Sequence, residues 1–461
     1  MTAKKTDRKW FVAVQVNATS LLDEGVDRVL DIFQDTAAAN VVMLSVHGFN
    51  PEVIDRPATH SGHGLKGPHG SAGGTFAIPN PEHYRGLPLG DARVKERLFE
   101  GFDALAETQR AAKERGMSIH LYILESAITG GHQRTVAGWP RLLEIDVLGR
   151  RSSLPCINNP VYRDWKLALV EDLYKSYEFN GLLWGVERWG PLHGALTGGV
   201  PSCFCSHCES VAREAGLDWT RTVSGYRALG QAMEAWQGGQ PGTQTTFVEF
   251  LRIVLACPEI LAWEKLWTER YLSLHREIFG VAKWLGPERA FGLGLWHYYF
   301  INPLLRAEWD LKEFARSADY IRPILYHVPE GTRIKHFLEA LGEGAFRAFT
   351  KDGLLEAFSR MLDMGLPSYR EVVSRGLPAD FVAAGVDIVR RDVGPGMPIY
   401  AGIGLDVRQQ GLRRAMRPKD ATAAVTAAVL AGADGVVASR NYAEMRIDNL
   451  KAFGNAVRRR R

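Results

Sequence analysis

The chain has 461 residues, 46% of them hydrophobic and 23% charged, with a formal net charge of +4. That balance supports a large buried core and excludes disorder as the main state. The charge excess is small, and part of it sits in Arg458–Arg461, so it offers no electrostatic basis for nucleic acid as a main partner.

Short β-rich runs alternate with longer helical patterns from one end to the other, the signature of repeated β-α units around a parallel sheet. Strands are predicted at 10–16, 40–47, 118–124, 181–186, 291–298, 320–326, 398–404 and 434–438. Most are continuous apolar runs, as expected for strands covered on both faces. Helical patterns fall around 22–38, 93–115, 160–178, 207–215 with 260–284, 308–317, 353–363 with 377–391, and 419–431. Eight such units suit closure better than an open sheet, which predicts a single α/β domain, a (β/α)8 TIM barrel over 1–457. A helical insertion is expected at about 217–285 and a solvated, disordered basic tail at 458–461.

The charged start, Met1–Lys9, leads directly into Trp10-Phe11-Val12 without a long apolar stretch, and no run of 18 or more apolar residues follows. A cytoplasmic protein with no membrane span is therefore expected. Three long insertions follow strands 2, 3 and 4. One runs from about Gly48 to Asp91 and carries His60, His63 and His69, one runs from Ala127 to Leu154, and one from Gly190 to about Pro258 contains the Gly-rich stretch 238–245. All three follow strands, so all should reach the same rim, and loops of this length in a compact domain are usually functional.

In such a barrel, polar groups at strand C-termini converge on one mouth. Strand 2 ends at His47, strand 3 at Glu125, strand 4 at Glu187 and Arg188, and strand 5 at Trp296-His297. Strand 6 ends at Tyr326-His327, strand 7 at Asp406, and strand 8 at Arg440 and Glu444. A carboxyl at the end of a buried strand, flanked by Trp184 and Trp189, suits a general acid, and indole faces suit the C–H face of a sugar. The bland alternative for Glu187 is an ion pair with Arg188 or Arg440. Glycoside cleavage needs a second carboxyl, for which the candidates are Asp406, Glu125 and Glu444. Asp406 is preferred because the small residues before it would admit a ligand, with helix capping or pairing with Arg408 as its structural alternative.

Of five cysteines, three crowd into Cys203, Cys205 and Cys208, a spacing that reads as metal binding before disulfide in a chain without an export signal. From Gly149 to Gly216 the chain resembles the barrel region of family-42 β-galactosidases. The shared features are Arg150-Arg151 with Cys156, Asn159-Pro160-Val161-Tyr162-Arg163, Glu187, and Cys203-Phe204-Cys205-Ser206-His207-Cys208. The resemblance implies Glu187 as acid/base, structural zinc on Cys156, Cys203, Cys205 and Cys208, and Cys257 as an ordinary core cysteine. It departs from that family at Val186, where the family has Asn, and at Asp406, where the family's nucleophile is Glu. The chain as a whole resembles a group of glycoside hydrolase-like barrels in which blocks such as Trp184-Gly-Val-Glu-Arg188, Pro323-Ile-Leu-Tyr-His327 and Ser439-Arg-Asn-Tyr-Ala-Glu444 recur.

The sequence thus points to a glycosidase acting on a small glycoside or oligosaccharide, with Glu187 and Asp406 as the catalytic pair. His47, Glu125, Trp184, Arg188, Trp296, His297, Tyr326, His327 and Arg440 would line the sugar site. Structural zinc is expected, no organic cofactor, and a homo-oligomer is compatible with the composition. The rival readings are a lyase, isomerase or epimerase using the histidines and a second metal, and a carbohydrate-binding barrel without catalysis.

Overall fold

Eight apolar runs become the parallel strands β1 (Phe11–Val16), β2 (Val41–Ser45), β3 (Ser118–Leu124), β4 (Gly181–Val186), β5 (Ala290–Leu295), β6 (Tyr320–Pro323), β7 (Tyr400–Gly404) and β8 (Gly435–Ser439). A computed structural model describes residues 10–48, 74–89, 93, 99–125, 136–238, 245–407 and 409–460. His60, His63, His69, Arg408, Arg461 and the segments 127–135 and 239–244 lie outside the described residues. The strands pair in the order β6-β5-β4-β3-β2-β1-β8-β7. Bridges from Ile321 to Ile399 and from Ile324 to Gly402 then bring β6 against β7, with Ile321 N–H donating to Pro398 O (2.9 Å) and Leu325 N–H to Gly402 O (2.9 Å). The fold is a (β/α)8 barrel.

Each predicted strand is present, but two end earlier than their sequence suggests. The fifth gives way to a single turn of tight helix, His297–Phe300, and the sixth to a helix, His327–Gly342, that the periodicity did not reveal. Pro323 carries no N–H for the ladder, and after it Ile324 N–H and Leu325 N–H still bond the flanking strands, at Leu295 O (3.0 Å) and Gly402 O (2.9 Å), before the helix begins. Helices Trp219–Gln237, Thr246–Ala256 and Glu259–Leu285 follow β4. Arg458 ends the last helix, and Arg460 lies over the Trp10 ring at 4.6 Å. No helix among the described residues is long and apolar enough to cross a membrane.

Helix starts follow local chemistry. Before helix Pro160–Ser176, for example, the Asn159 side chain accepts from Val161 N–H, and proline occupies the position where an N–H would be unsatisfied anyway.

Side chains alternate between the barrel interior and the helical shell. The interior set of Phe11, Ala13, Val41, Met43, Tyr122, Leu183, Tyr320 and Val437 packs apart from the larger shell core. Its floor is aromatic: Phe11 stacks on Tyr400 with centroids 3.9 Å apart, and His120 Nδ1 meets Tyr320 OH at 3.1 Å. Rings this large fit only beside positions without side chains. A Cβ at Gly181 would collide with the His120 ring, and one at Gly292 with the Tyr320 ring. Gly292→Ala should therefore lower stability by about 1–3 kcal/mol through overpacking. The expected observation is a lower urea midpoint with an unchanged slope, and an unchanged midpoint would contradict the packing described.

Candidate active site

Counting in steps of two from the floor brings a polar set to the upper end of the strands. Arg322, in the middle of β6, is fully buried, and its Nη2 donates to Gln15 Oε1 (2.7 Å), to Tyr326 OH (3.1 Å) and to Ser439 Oγ. Gln15 and Ser439 belong to β1 and β8, so one guanidinium ties together three strands. Burial pushes the Tyr122 phenol above its usual range, and Ser45, Tyr326, Arg322 and Arg440 all act on it, which gathers these groups around one point above the floor.

Around this base stand acids and aromatic rings. The Arg440 guanidinium lies 3.8 Å from Glu444, and its proton is held more tightly than usual, first by Glu444 against the cost of burial, with Tyr326, Glu187 and Tyr122 also contributing. Burial pushes the His297 imidazole below its usual value, against the opposing pull of Glu330 and, more weakly, Glu187. His297 Nδ1 meets the fully buried Glu330 at 2.7 Å, and Arg333 completes that chain at 3.4 Å. Burial alone would raise the Glu330 carboxyl, but His297 and Arg333 bring it below the ordinary value. Trp296 packs with Ile324, Tyr326 and Val407, while Trp189 and Tyr298 lie 4.9 and 4.7 Å from it between centroids. Glu187, His297, Trp296, Tyr326 and Arg440 thus share one mouth, joined by Arg322, Glu330 and Glu444. His47 is buried at the top of β2, where His47–Gly48 pairs antiparallel with Gly74–Thr75.

Other residues expected in the mouth face the shell instead. Glu125 accepts from Tyr162 OH at 3.2 Å and lies 3.7 Å from Arg188, whose other partners are Glu144 and Pro155 O (2.8 Å). Trp184 lies under the ammonium of Lys166 from helix Pro160–Ser176 (5.4 Å). The cause is alternation: Leu183 and Glu187 share the interior parity, and Trp184 and Arg188 take the other. His327 opens the helix after β6 and is buried near Asp420 and Arg414, on the far side of that helix start. Asp406 adopts a left-handed backbone (φ 52°), and both its oxygens are engaged, by Arg446 N–H at 2.8 Å and by Asn449 Nδ2 at 2.8 and 2.9 Å. It tethers the start of helix Ile447–Arg458. Arg322 and Glu330 escaped the sequence reading; the signal for Arg322 was a charge in mid-strand with the parity of Tyr326.

Cys156, Cys203, Cys205 and Cys208 come together with all four sulfurs within 4.8 Å of one another. Cys156 Sγ is 3.5 Å from both Cys205 and Cys208, close to the roughly 3.8 Å edge of a tetrahedral thiolate-zinc site. Ile145 N–H, Asn158 N–H and Asn158 Nδ2 each point at a cysteine sulfur at 3.4 Å, donors that favour thiolates. Cys257 lies elsewhere, its thiol directed at Arg221 O (3.2 Å). Among the described residues this is the only cluster of three or more metal-ligand side chains.

Several solved structures of similar fold are those of glycoside hydrolases. The glycoside hydrolase domain of PgaB (BpsB) from Bordetella bronchiseptica matches with a TM-score of 0.50 at 11% identity, over 98% of each chain. A cold-adapted β-galactosidase from Rahnella sp. R3 matches with a TM-score of 0.54 at 15% identity, over 98% of this chain and 56% of that one. A β-galactosidase from the psychrophilic Marinomonas ef1 gives 0.53 at 10%, over 97% and 59%. The chain spans just over half the length of the two galactosidases. No protein-family model matches it, and no curated protein matches it in sequence. The likeness is one of fold: this is a barrel of the kind on which these glycoside hydrolases are built.

The histidines around the site make a pH prediction. Burial holds His193 at about 3, His327 at about 4 and His297 below its ordinary value. Because the unfolded chain takes up protons that the folded one refuses, stability present above the usual histidine value is lost as pH falls through it. Each such group contributes a slope of about 1.4 kcal/mol per pH unit. The thermal midpoint should drop steadily from pH 7 to pH 5; a flat profile would mean that these rings are not buried neutral.

Proposed function

We propose that the protein is a glycoside hydrolase whose reaction takes place at the barrel mouth, with Glu187 as acid/base and Glu444 as its carboxylate partner. The single observation that supports this most is Arg440, which pairs with Glu444 at 3.8 Å while also feeling the charge of Glu187. Cleaving a glycosidic bond needs a proton for the leaving oxygen and a carboxylate that attacks the anomeric carbon or activates water. Glu187, at the end of β4, supplies the proton. Glu444 has a guanidinium beside it, which is what a group working as a carboxylate needs. The rings of Trp296, Trp189 and Tyr298 offer apolar faces to the sugar, and His297, oriented by Glu330, offers a hydrogen bond to a hydroxyl.

Asp406, the partner that the sequence favours, is in this reading a structural tether, because its oxygens are already filled at a helix start. The cysteines would hold zinc as a structural ion: four thiolates saturate a tetrahedral ion and leave no open position, so the metal would join the loop after β3 to the loop after β4.

A panel of chromogenic glycosides should reveal turnover in the parent protein. Glu187→Gln and Glu444→Gln should each lower kcat at least a hundredfold, whereas Asp406→Asn should act chiefly on thermal stability. Full activity in both glutamate variants would end this assignment, and loss of kcat in Asp406→Asn at unchanged stability would restore Asp406 to the pair. Metal analysis of purified protein should find about one equivalent of zinc, lost in Cys205→Ser together with several degrees of thermal midpoint; intact stability without metal would exclude the structural role.

A further inference from the structure

A neutral imidazole carries one proton, so binding one of its nitrogens decides the role of the other. In the mouth this applies to His297. Its Nδ1 lies 2.7 Å from Glu330 Oε1, and the fully buried Glu330 receives Arg333 Nη1 on its other oxygen, Oε2, at 3.4 Å. Arg333 is held in turn by Gln409 Oε1 at 3.3 Å and lies over the Tyr326 ring at 5.3 Å. The faces of the imidazole are fixed as well, with the Tyr298 and Trp296 rings at 4.3 and 5.8 Å between centroids. The residue is 7% exposed, and its Nε2 has no hydrogen-bond partner among the described residues, nor is it one of the polar atoms sealed off in the interior.

The surroundings decide where that one proton sits. Against the cost of burial, His297 and Arg333 bring the Glu330 carboxyl below its ordinary value, so it is an anion that can only accept. Burial keeps the His297 ring neutral against the pull of Glu330. A neutral ring that meets an anion through Nδ1 has to place its proton there, which leaves Nε2 as a bare acceptor at the mouth. The charge of Glu187 also reaches this ring, so Nε2 stands beside the proposed acid.

We propose that His297 is the residue by which the mouth reads one hydroxyl group of its sugar: Nε2 accepts a hydrogen bond from that hydroxyl, and Glu330 is the positioning residue that fixes the direction through Nδ1. The substrate is then a sugar whose hydroxyl at this position is free. One methylated, acylated or glycosylated there brings an oxygen without a proton against a nitrogen without a proton, and is refused. The proposal rests on the hydrolase reading for the nature of the ligand, whereas the state of the ring belongs to the protein alone. An acceptor left without its donor in a site that excludes water should weaken binding about tenfold or more.

The test reads the ring and the ligand separately. Nitrogen NMR spectra of the full chain, isotopically labelled at histidine, should show His297 with a protonated Nδ1 and an unprotonated Nε2 at neutral pH, its signals assigned by their loss in His297→Phe. Glu330→Gln should reverse the pattern: Arg333 keeps the amide carbonyl, the amide nitrogen turns to Nδ1 as a donor, and the proton moves to Nε2. A role in packing alone would not move that proton, and if the phenylalanine variant does not fold, the signals that respond to Glu330→Gln identify the ring. Isothermal titration then compares methyl glucosides and methyl galactosides with their deoxy and deoxyfluoro counterparts at each hydroxyl in turn. Fluorine cannot donate, so at one position both replacements should weaken binding to the parent about tenfold or more, while Glu330→Gln should tolerate fluorine there. A proton on Nε2 of the parent, or no position at which fluorine weakens binding, would overturn the proposal. The predicted discrimination without cleavage of any chromogenic glycoside would support it and sink the hydrolase reading. Cleavage by a protein whose Nε2 carries the proton would do the reverse, and neither sugar binding nor cleavage would sink both.

Discussion

A side chain on a strand of a closed parallel ring has two destinations, the interior or the helical shell, and the choice alternates from one residue to the next. Bonding of β6 to β7 closes the ring and so decides which strands look at one another across it. Glu187 on the interior parity then faces the mouth that Arg440 enters beyond β8, while Arg188, one residue later, is sent outward to Glu144 and Glu125. A register slip of one residue would exchange them, leaving the mouth without its acid and burying a carboxylate in the aromatic shell. The glycines at 181 and 292 are part of the same constraint, since only their missing side chains let the floor rings cross the barrel and hold the polar layer above them.

Fold and strand placement were legible because both follow from periodicity: continuous apolar runs separated by helical patterns have few closed solutions. The site was legible in part. Strand ends point to the mouth, so Glu187, Trp296, His297, Tyr326 and Arg440 could be named from sequence. That rule says nothing about parity. Glu125, Arg188 and His327 at strand ends, and Trp184 within β4, turn into the shell, as a residue beside the rim can equally do. Arg322 was hidden for the opposite reason, being inside a strand where a charge is not expected, and Glu330 because its helix carries no clear apolar stripe: His327, Glu330 and Thr332 are buried alongside Val328 and Ile334. The cysteines were readable as a cluster from three of them. Bringing in Cys156 needed either a family resemblance or the hairpin Leu143–Ile145 with Arg151–Pro155, which leads the chain back toward the loop after β4.

The shell also carries buried charge, and around Arg188 it is balanced. Arg188 is held between Glu144 and Glu125, and Glu144 also accepts from Ser202 Oγ at 2.7 Å, so the hairpin after β3 and the cysteine loop are locked to the end of β4. Lys166 is accommodated differently: burial brings it down to about 7, and three aromatic rings face its amine at 5.3 to 5.5 Å.

The aromatic wall of the mouth is supported by a pair of acids on its outer side. Glu264, on helix Glu259–Leu285, accepts from Leu192 N–H at 2.8 Å and from Tyr226 OH at 3.1 Å, and so fills the start of the short helix Pro191–Leu196. Burial raises Glu264 to about 7 and, with the Glu264 charge adding to it, Glu308 to about 10. Gly190 has to lack a side chain, because a Cβ there would run into the Glu264 carboxyl. The helix held in this way carries His193, whose ring packs on Trp189 at 4.0 Å, and Trp189 packs in turn on Trp296. The position of the Trp189 and Trp296 rings is thus tied, through the short helix and His193, to the buried Glu264 carboxyl in the shell.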